Sequence, residues 1–156
     1  DGSALTFGPV VDQVYRLGQS SGEWRPVTQS CGRGKFTCAA DPFILGRFLI
    51  ASDRGIIEVT EGGSVFRRMP NSERLGFSVA FDAHVRGLVV SATVGGAEIR
   101  LSEDGGKSWR PLPNGMDVPT GTVYQLVVDR KRLFVLTRGS GVWTRDLTSC
   151  LEDKDL

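Results

Sequence analysis

Long apolar runs are missing from this sequence. No stretch of 18 or more consecutive apolar residues occurs among the 156 residues, which argues against a membrane-spanning helix of ordinary length. The formal net charge is only +1, so bulk electrostatics give no reason to expect a nucleic-acid partner. The chain opens with Asp1-Gly2-Ser3, without a methionine or a signal-like apolar segment. We therefore expect a mature, trimmed chain whose compartment stays open among secreted, periplasmic and organelle-lumenal locations.

Metal ligands and catalytic motifs are equally scarce. His84 is the only histidine, and the 3 cysteines are dispersed, which leaves too few ligands for a zinc site of the usual composition. No Gly-x-Ser-x-Gly elbow, phosphate-binding loop or dinucleotide fingerprint occurs. We predict no cofactor, no metal site and no catalytic residue, and the sequence leans away from an enzyme.

Two of the cysteines allow opposite interpretations. Cys31 and Cys38 lie seven positions apart around a glycine-rich bend at residues 31–34. They can close a small disulfide loop, which would stabilise the fold by roughly 2–3 kcal/mol. Cys38 also lies in an apolar stretch, where a reduced, buried thiol is equally plausible. The sequence leaves both alternatives open.

Glycine is abundant, with 20 residues, and the turns it forms recur at a fixed period. An aromatic residue closes each unit, with spacings of 42 and 43 residues, at Trp24, Phe66 and Trp109. An aspartate ends an apolar strand in three units, at Asp41, Asp82 and Asp129. Short strands and turns repeated at this period are typical of four-stranded propeller blades.

The best-defined unit predicts four consecutive strands, A to D. They are an alternating strand at 77–81, a nearly continuous apolar strand at 88–92, and strands at 98–101 and 108–112. The preceding unit repeats the order at 36–40, 48–51, 56–60 and 65–69. The first unit lacks strand A, and the last lacks a convincing strand D. The four units therefore predict three, four, four and three strands.

This pattern predicts an all-β fold, a β-propeller of four-stranded antiparallel blades present as a partial arc of about three and a half to four blades. Residues 1–156 form one segment with units near 1–30, 31–72, 73–116 and 117–150 and a short polar tail at 151–156. One alternative is a four-bladed ring in which Thr148–Glu152 supplies the missing D strand. Another is a two-sheet sandwich.

Residues 102–109 contain the pattern Ser-x-Asp-x-Gly-x-x-Trp. The turn resembles the Asp-box, or BNR repeat, of sialidases, sortilin-type receptors, some glucanases and photosystem II assembly-factor propellers. The resemblance implies a structural turn between strands C and D, away from the ligand face. The physics agrees, because a short carboxylate can accept backbone N–H bonds across a tight turn and an aromatic can insert between sheets. We assign this structural role to Ser102, Asp104, Gly106 and Trp109, and an interblade role to Trp24, Phe66 and Trp109.

A ligand is expected at the opposite end of the blades. The resemblance implies binding at the face formed by the B–C turns and the links between blades. The candidates there are Asp53, Arg54, Arg74 and Arg138. The arginines can form a basic patch for carboxylates or an acidic peptide; the alternative is that they are ordinary solvated loop residues.

The leading functional hypothesis is a non-catalytic protein-binding or scaffolding module, a component or assembly factor of a larger complex. Open blade edges invite association, so we expect a partner chain, or the remainder of a longer precursor, to cover them. One rival is a fragment of a sialidase-like or glucanase-like glycoside hydrolase, with Asp53 and Asp117 as candidate carboxylates. Another is a receptor-type peptide-binding propeller, which an oxidised Cys31–Cys38 pair would favour.

Overall fold

The computed structural model describes residues 5–7, 14–17, 22–26, 37–60, 65–93, 98–113, 118 and 123–151, with the backbone alone for β1 to β3 and for the first two residues of β7. Within these ranges the chain forms fourteen strands and one short 3-10 helix, Thr148–Cys150. The strands are β1 Leu5–Phe7, β2 Val14–Leu17, β3 Trp24–Pro26, β4 Thr37–Ala40, β5 Phe48–Ser52, β6 Gly55–Thr60, β7 Val65–Arg68, β8 Ser78–Phe81, β9 Val89–Ala92, β10 Ile99–Ser102, β11 Arg110–Pro111, β12 Val123–Asp129, β13 Arg132–Thr137 and β14 Val142–Asp146. None of the described segments forms a helix of the length and apolarity that crossing a membrane requires.

The described strands form four sheets, and within each sheet consecutive strands pair antiparallel. Their orders are β1-β2-β3, β4-β5-β6-β7, β8-β9-β10-β11 and β12-β13-β14, here called blades 1 to 4. The predicted numbers of strands, three, four, four and three, are confirmed within the described ranges, and the two-sheet sandwich is wrong. The four-bladed ring required a D strand at Thr148–Glu152. That prediction is wrong as well, because Thr148–Cys150 forms a 3-10 helix.

The innermost strands of blades 2, 3 and 4 lie side by side, with β8 in contact with both β4 and β12. Hydrogen bonds connect them across the blades. The Val79 amide donates to Thr37 Oγ1 at 2.9 Å, and the Leu126 amide donates to Ser78 Oγ at 3.1 Å. Stacking successive antiparallel sheets by their first strands produces the radial arrangement of a propeller. The fold is an all-β propeller segment, as the sequence predicts.

Strand β9 of blade 3 explains the nearly continuous apolar run in the sequence at 88–92. All four of its residues are buried. Val89 packs into the core shared with blade 2, whereas Val90 and Ala92 pack into the core shared with blade 4. Because successive side chains point to opposite faces, a sheet covered on both sides favours apolar residues at nearly every position. The polar exception in β9, Ser91, donates a hydrogen bond to the Ser78 carbonyl at 2.7 Å.

Blade 4 is covered on one face and open on the other. Leu126, Val128, Leu133 and Val135 are buried against blade 3. The strand register places four positions on the opposite face, because Val127 is paired with Phe134, and Leu136 with Val142. Val127 and Val142 are 40% and 62% exposed, and Phe134 and Leu136 are half-buried. These four residues, Val127, Phe134, Leu136 and Val142, are called the open blade-4 face.

Candidate functional site

The A–B turns of blades 2 and 3 are built alike around an aspartate. Asp41 Oδ1 accepts the backbone N–H groups of the residues two and three positions later at 2.9 and 3.1 Å. Asp82 Oδ1 accepts the equivalent N–H groups at 2.7 and 3.0 Å. Such side-chain-to-backbone bonds stabilise a turn locally. The periodic aspartates in the sequence therefore hold the strand-to-strand connections.

The second oxygen of each aspartate has a different partner. Asp82 is fully buried, and its Oδ2 accepts the Lys131 amide of blade 4 at 2.7 Å. Asp41 Oδ2 instead accepts a hydrogen bond from Arg47 Nη1 at 2.6 Å. One carboxylate therefore joins two blades, and the other holds a buried cation.

The turn at 102–109 is held by its serines and its aspartate. Asp104 Oδ1 accepts the amides of Lys107 and Ser108, both at 2.9 Å, and the hydroxyl of Ser102 at 2.8 Å. Ser108 Oγ donates to Asp104 Oδ2 at 2.6 Å. The Gly106 amide donates to Ser102 Oγ at 2.8 Å. The four hydrogen bonds that Asp104 accepts thus all come from its own turn.

The pKa of Asp104 follows from this geometry. Partial burial alone would raise it, but hydrogen bonds from the side chain and amide of Ser108, and then from Ser102 and Lys107, outweigh burial and lower the pKa below its ordinary value. A carboxyl held in its charged form is a poor general acid.

Trp109 lies where the turn meets the preceding blade. It is half-buried and packs against the core formed by blades 2 and 3. A Cβ on Gly106 would lie 3.3 Å from Leu49 Cδ1 and 3.4 Å from Trp109 Cζ2, so the indole, the glycine and blade 2 are in close contact. Trp109 Nε1 is buried without a hydrogen-bond partner among the described residues. The side chains of Trp24 and Phe66 lie outside the described residues, and their interblade role stays a prediction.

A buried arginine that the sequence analysis missed links blades 2 and 3. Arg47 is 5% exposed. Its Nε donates to Glu58 Oε1 at 2.7 Å and its Nη1 to Asp41, while Nη2 donates to the carbonyl of Gly105 in the next blade. The guanidinium also lies over the Phe81 ring, 5.6 Å from its centroid.

Gly105 makes this approach possible. Its φ is +77°, and a Cβ there would lie 3.1 Å from Arg47 Nη1. Glycine therefore meets two demands at once: it accepts the left-handed backbone conformation, and it leaves room for the guanidinium.

The equivalent positions of the two blades show what could have revealed this pair. Arg47 lies six residues after Asp41, as Leu88 lies six residues after Asp82. Glu58 is paired across the sheet with Leu49, as Leu101 is paired with Val90. Blade 2 thus carries an Arg–Glu pair where blade 3 carries two fully buried leucines. Aligning the repeats by their turn aspartates would have exposed the substitution.

Glu58 stays charged in this setting. Burial would raise its pKa, but hydrogen bonds and the positive charges of Arg47 and Arg67 outweigh burial and lower it. Arg67 Nε donates to Glu58 Oε2 at 2.5 Å, although the Arg67 side chain is 63% exposed. The glutamate therefore bridges a buried cation and a surface cation.

An open groove of about 710 Å³ lies above this network. Its lining comes from the Asp41 turn, the β6 and β7 residues around Glu58, and the two turns of blade 3 at residues 86–87 and 103–107. We call it the turn groove. It lies at the end of the blades formed by the A–B and C–D turns, and its volume is within the range of ligand-binding clefts.

The predicted ligand-face residues lie elsewhere. Asp53 and Arg54 are exposed in the turn between β5 and β6, and Arg74 is exposed in the link between β7 and β8. Arg138 is exposed after β13, with its guanidinium 5.6 Å from the Tyr124 ring centroid. None of the four lines the turn groove, and their binding role stays a prediction.

The remaining candidates from the sequence are His84, the cysteine pair and Asp117. His84 Nε2 lies 3.2 Å from Asp129 Oδ1, with both side chains about half exposed. Cys38 is half-buried in β4, while Cys31 and Asp117 lie outside the described residues, so the disulfide is untested. Across the described part of the chain, no three His, Cys, Asp or Glu side chains are grouped to hold a metal ion.

No family model and no curated protein matches the sequence, but solved structures do. A GH74 xyloglucanase from Xanthomonas campestris is 18% identical with a TM-score of 0.64, over 86% of this chain and 21% of that one. YCF48 bound to a D1 peptide is 18% identical with a TM-score of 0.57, over 87% and 44%. YCF48 from Cyanidioschyzon merolae is 14% identical with a TM-score of 0.55, over 93% and 56%.

This chain therefore spans from about a fifth to just over half of the length of these structures. They are propeller proteins of different activities, and identities this low establish the shared architecture alone. Blades 1 to 4 form a segment of a β-propeller.

Proposed function

We propose that this chain is a non-catalytic, protein-binding propeller module of the Asp-box type and a component of a larger assembly. The open blade-4 face carries the proposal. In a propeller each blade packs its apolar face on the next, and blade 4 instead presents Val127 and Val142 to solvent, at 40% and 62% exposure. A second polypeptide, or further blades of a longer chain, would bury this face.

Support for the Asp-box assignment comes from the turn at 102–109. The Asp104 carboxylate is used up by backbone and hydroxyl donors within the turn, which fits a structural role. The proposed repeat units, near 1–30, 31–72, 73–116 and 117–150, are supported by the order of the described strands, which form four successive sheets.

The carboxylates favour binding over glycoside hydrolysis. That chemistry needs two carboxyl groups across one cleft, one of them an acid with a raised pKa. Among the described carboxyls, those at Glu58, Asp104 and Asp146 have a shifted pKa, and each shift is downward. In the turn groove, Asp41 and Glu58 are bound by Arg47, and Glu103 by Arg110. YCF48, whose structure was solved with a bound D1 peptide, is the nearer functional analogue.

Light scattering during size-exclusion chromatography tests the proposal. Without its partner, the chain is expected to self-associate through the open blade-4 face, with an apparent mass above 16.9 kDa. Val142→Lys should return it to the monomer mass. Leu45→Lys is the matched control, because Leu45 is a similarly exposed aliphatic residue, at 71%, on another surface.

Two outcomes would count against the proposal. One is a stable wild-type monomer that binds no hydrophobic dye. The other is hydrolysis of a chromogenic glycoside that Asp53→Asn abolishes, which would favour the hydrolase alternative.

A further inference from the structure

The turn groove combines exposed apolar side chains with cations that form no ion pair within the described part of the chain. Phe43 and Ile44, on one wall, are 40% and 44% exposed. Arg86 and Lys107, on the blade-3 side, are exposed, and neither forms an ion pair with the described residues. Apolar anchors beside arginine are the composition of protein-binding surfaces.

Three of the four acids that line the groove are held in ion pairs: Asp41 and Glu58 by Arg47 and Arg67, and Glu103 by Arg110. The fourth, Asp104, is exposed, and the hydrogen bonds that it accepts come from its own turn. Counting Arg110, five cations surround these four carboxylates. An approaching ligand therefore meets a small net positive charge, concentrated on Arg86 and Lys107.

The base of the groove is rigid by construction. Arg47 is held by contacts to Asp41, Glu58 and the Gly105 carbonyl. The two blade-3 turns are joined to each other, because the Gly105 amide donates to the Gly87 carbonyl at 2.9 Å. A binding surface whose side chains are already fixed loses less entropy when a ligand binds.

We propose that the turn groove binds an acidic–aliphatic peptide segment of a partner protein, with its carboxylates on Arg86 and Lys107 and its apolar side chains against Phe43 and Ile44. This deepens the proposed protein-binding function by giving it a second surface and a ligand chemistry. The groove does not include the open blade-4 face, so the two proposals fail separately.

Fluorescence anisotropy of the full 156-residue chain with a labelled hexapeptide, Glu-Leu-Glu-Phe-Glu-Leu, tests the inference. The chain should bind this probe more tightly than Gln-Leu-Gln-Phe-Gln-Leu, and salt should weaken the binding. Removing the two positive charges of the groove with Arg86→Gln and Lys107→Gln should raise Kd about fivefold or more. The control pair, Arg130→Gln and Arg132→Gln, removes the same charge elsewhere and should leave Kd within about twofold.

An apolar pair of variants separates the groove from diffuse attraction to a basic surface. Phe43→Ser should weaken binding about tenfold, whereas Leu45→Ser, outside the groove, should not. Equal losses in the groove and control variants, or no preference for the glutamate peptide, would overturn the inference. Thermal unfolding of each variant shows whether the fold is kept. If the Phe43→Ser variant is unfolded, Ile44→Ser takes its place, because Ile44 is the other apolar residue on the same wall of the groove.

Discussion

At the scale of single residues, the buried Arg47–Glu58 pair is the most unusual feature of the fold. A buried ion pair recovers its desolvation cost only with good geometry and further hydrogen bonds, and a well-packed apolar pair is often as stable. The molecule contains that comparison, because blade 3 has Leu88 and Leu101 at the equivalent positions. Arg47 also donates a hydrogen bond to the Gly105 carbonyl. This bond fixes blade 2 against a turn of blade 3, which a leucine at position 47 could not do.

We predict a strong coupling between the two positions. Arg47→Leu should destabilise the fold by about 3–5 kcal/mol, because it leaves Asp41 and Glu58 without their buried cation. Glu58→Leu should destabilise the fold by about 3 kcal/mol, because it removes one of the two carboxylates that pair with the buried Arg47. The double variant should recover at least about 2 kcal/mol of the summed loss. Urea unfolding of the four proteins measures the coupling, and additive losses would contradict it.

At the scale of elements, the A–B turns act as connectors between blades as well as between strands. Asp82 uses one oxygen for its own turn and the other for the Lys131 amide of the β12–β13 turn. Because the carboxylate is fully buried, each of these amides depends on it for a hydrogen bond. The position of blade 4 relative to blade 3 is thus coupled to the shape of a turn.

Replacing Asp82 by alanine should therefore loosen blade 4. We expect a loss of about 2–4 kcal/mol, since three partly buried N–H groups lose the carboxylate that accepts their hydrogen bonds. Amide hydrogen exchange should speed up at Lys131 together with His84 and Val85. Asp129→Ala is the control, because its ion pair with His84 is half exposed and is worth less than about 1 kcal/mol. Unchanged exchange at Lys131 in the Asp82 variant would refute the coupling.

At the scale of the whole molecule, the described part of the arc is held by two cores and by carboxylates that must stay charged. One core joins blades 2 and 3, and the other joins blades 3 and 4. The network that spans the first core contains Glu58, and the neighbouring turn contains Asp104. Both have a lowered pKa: burial opposes ionisation, and the surrounding donors and cations prevail. Protonation of these carboxylates at low pH should therefore lower the free energy of unfolding of the whole arc.

Stability should fall with acid in a defined window. Because the folded pKa values lie below the ordinary 4.5 of Glu58 and 3.8 of Asp104, the unfolded chain binds these protons first. The stabilisation is complete above about pH 5 and is lost as pH falls through the folded values. Urea unfolding between pH 7 and pH 3 measures it. Glu58→Gln should remove up to about 1.4 kcal/mol per pH unit from the slope, and a variant with the wild-type slope would contradict this assignment.

Local patterns predicted the strands and sheets but gave no sign of the buried ion pair or of the turn groove. The period of the turn glycines and aspartates predicted every sheet, because strand alternation and turn chemistry are properties of neighbouring residues. The same patterns drew attention to Asp104, whose partners are all within four positions. Arg47 and Glu58 were missed, since an arginine before a strand resembles a solvated charge until a carbonyl 58 positions away is shown to accept from it.

The sequence by itself determined the antiparallel sheets, their order and the partial arc, since each of these follows from contacts between residues close in the chain. The tertiary structure alone decided which charges are buried, which apolar face stays open and where a groove forms. Those properties depend on distances between blades. An exposed Val142 and a buried Val135 have the same apolar side chain, and only the presence or absence of a neighbouring blade separates them.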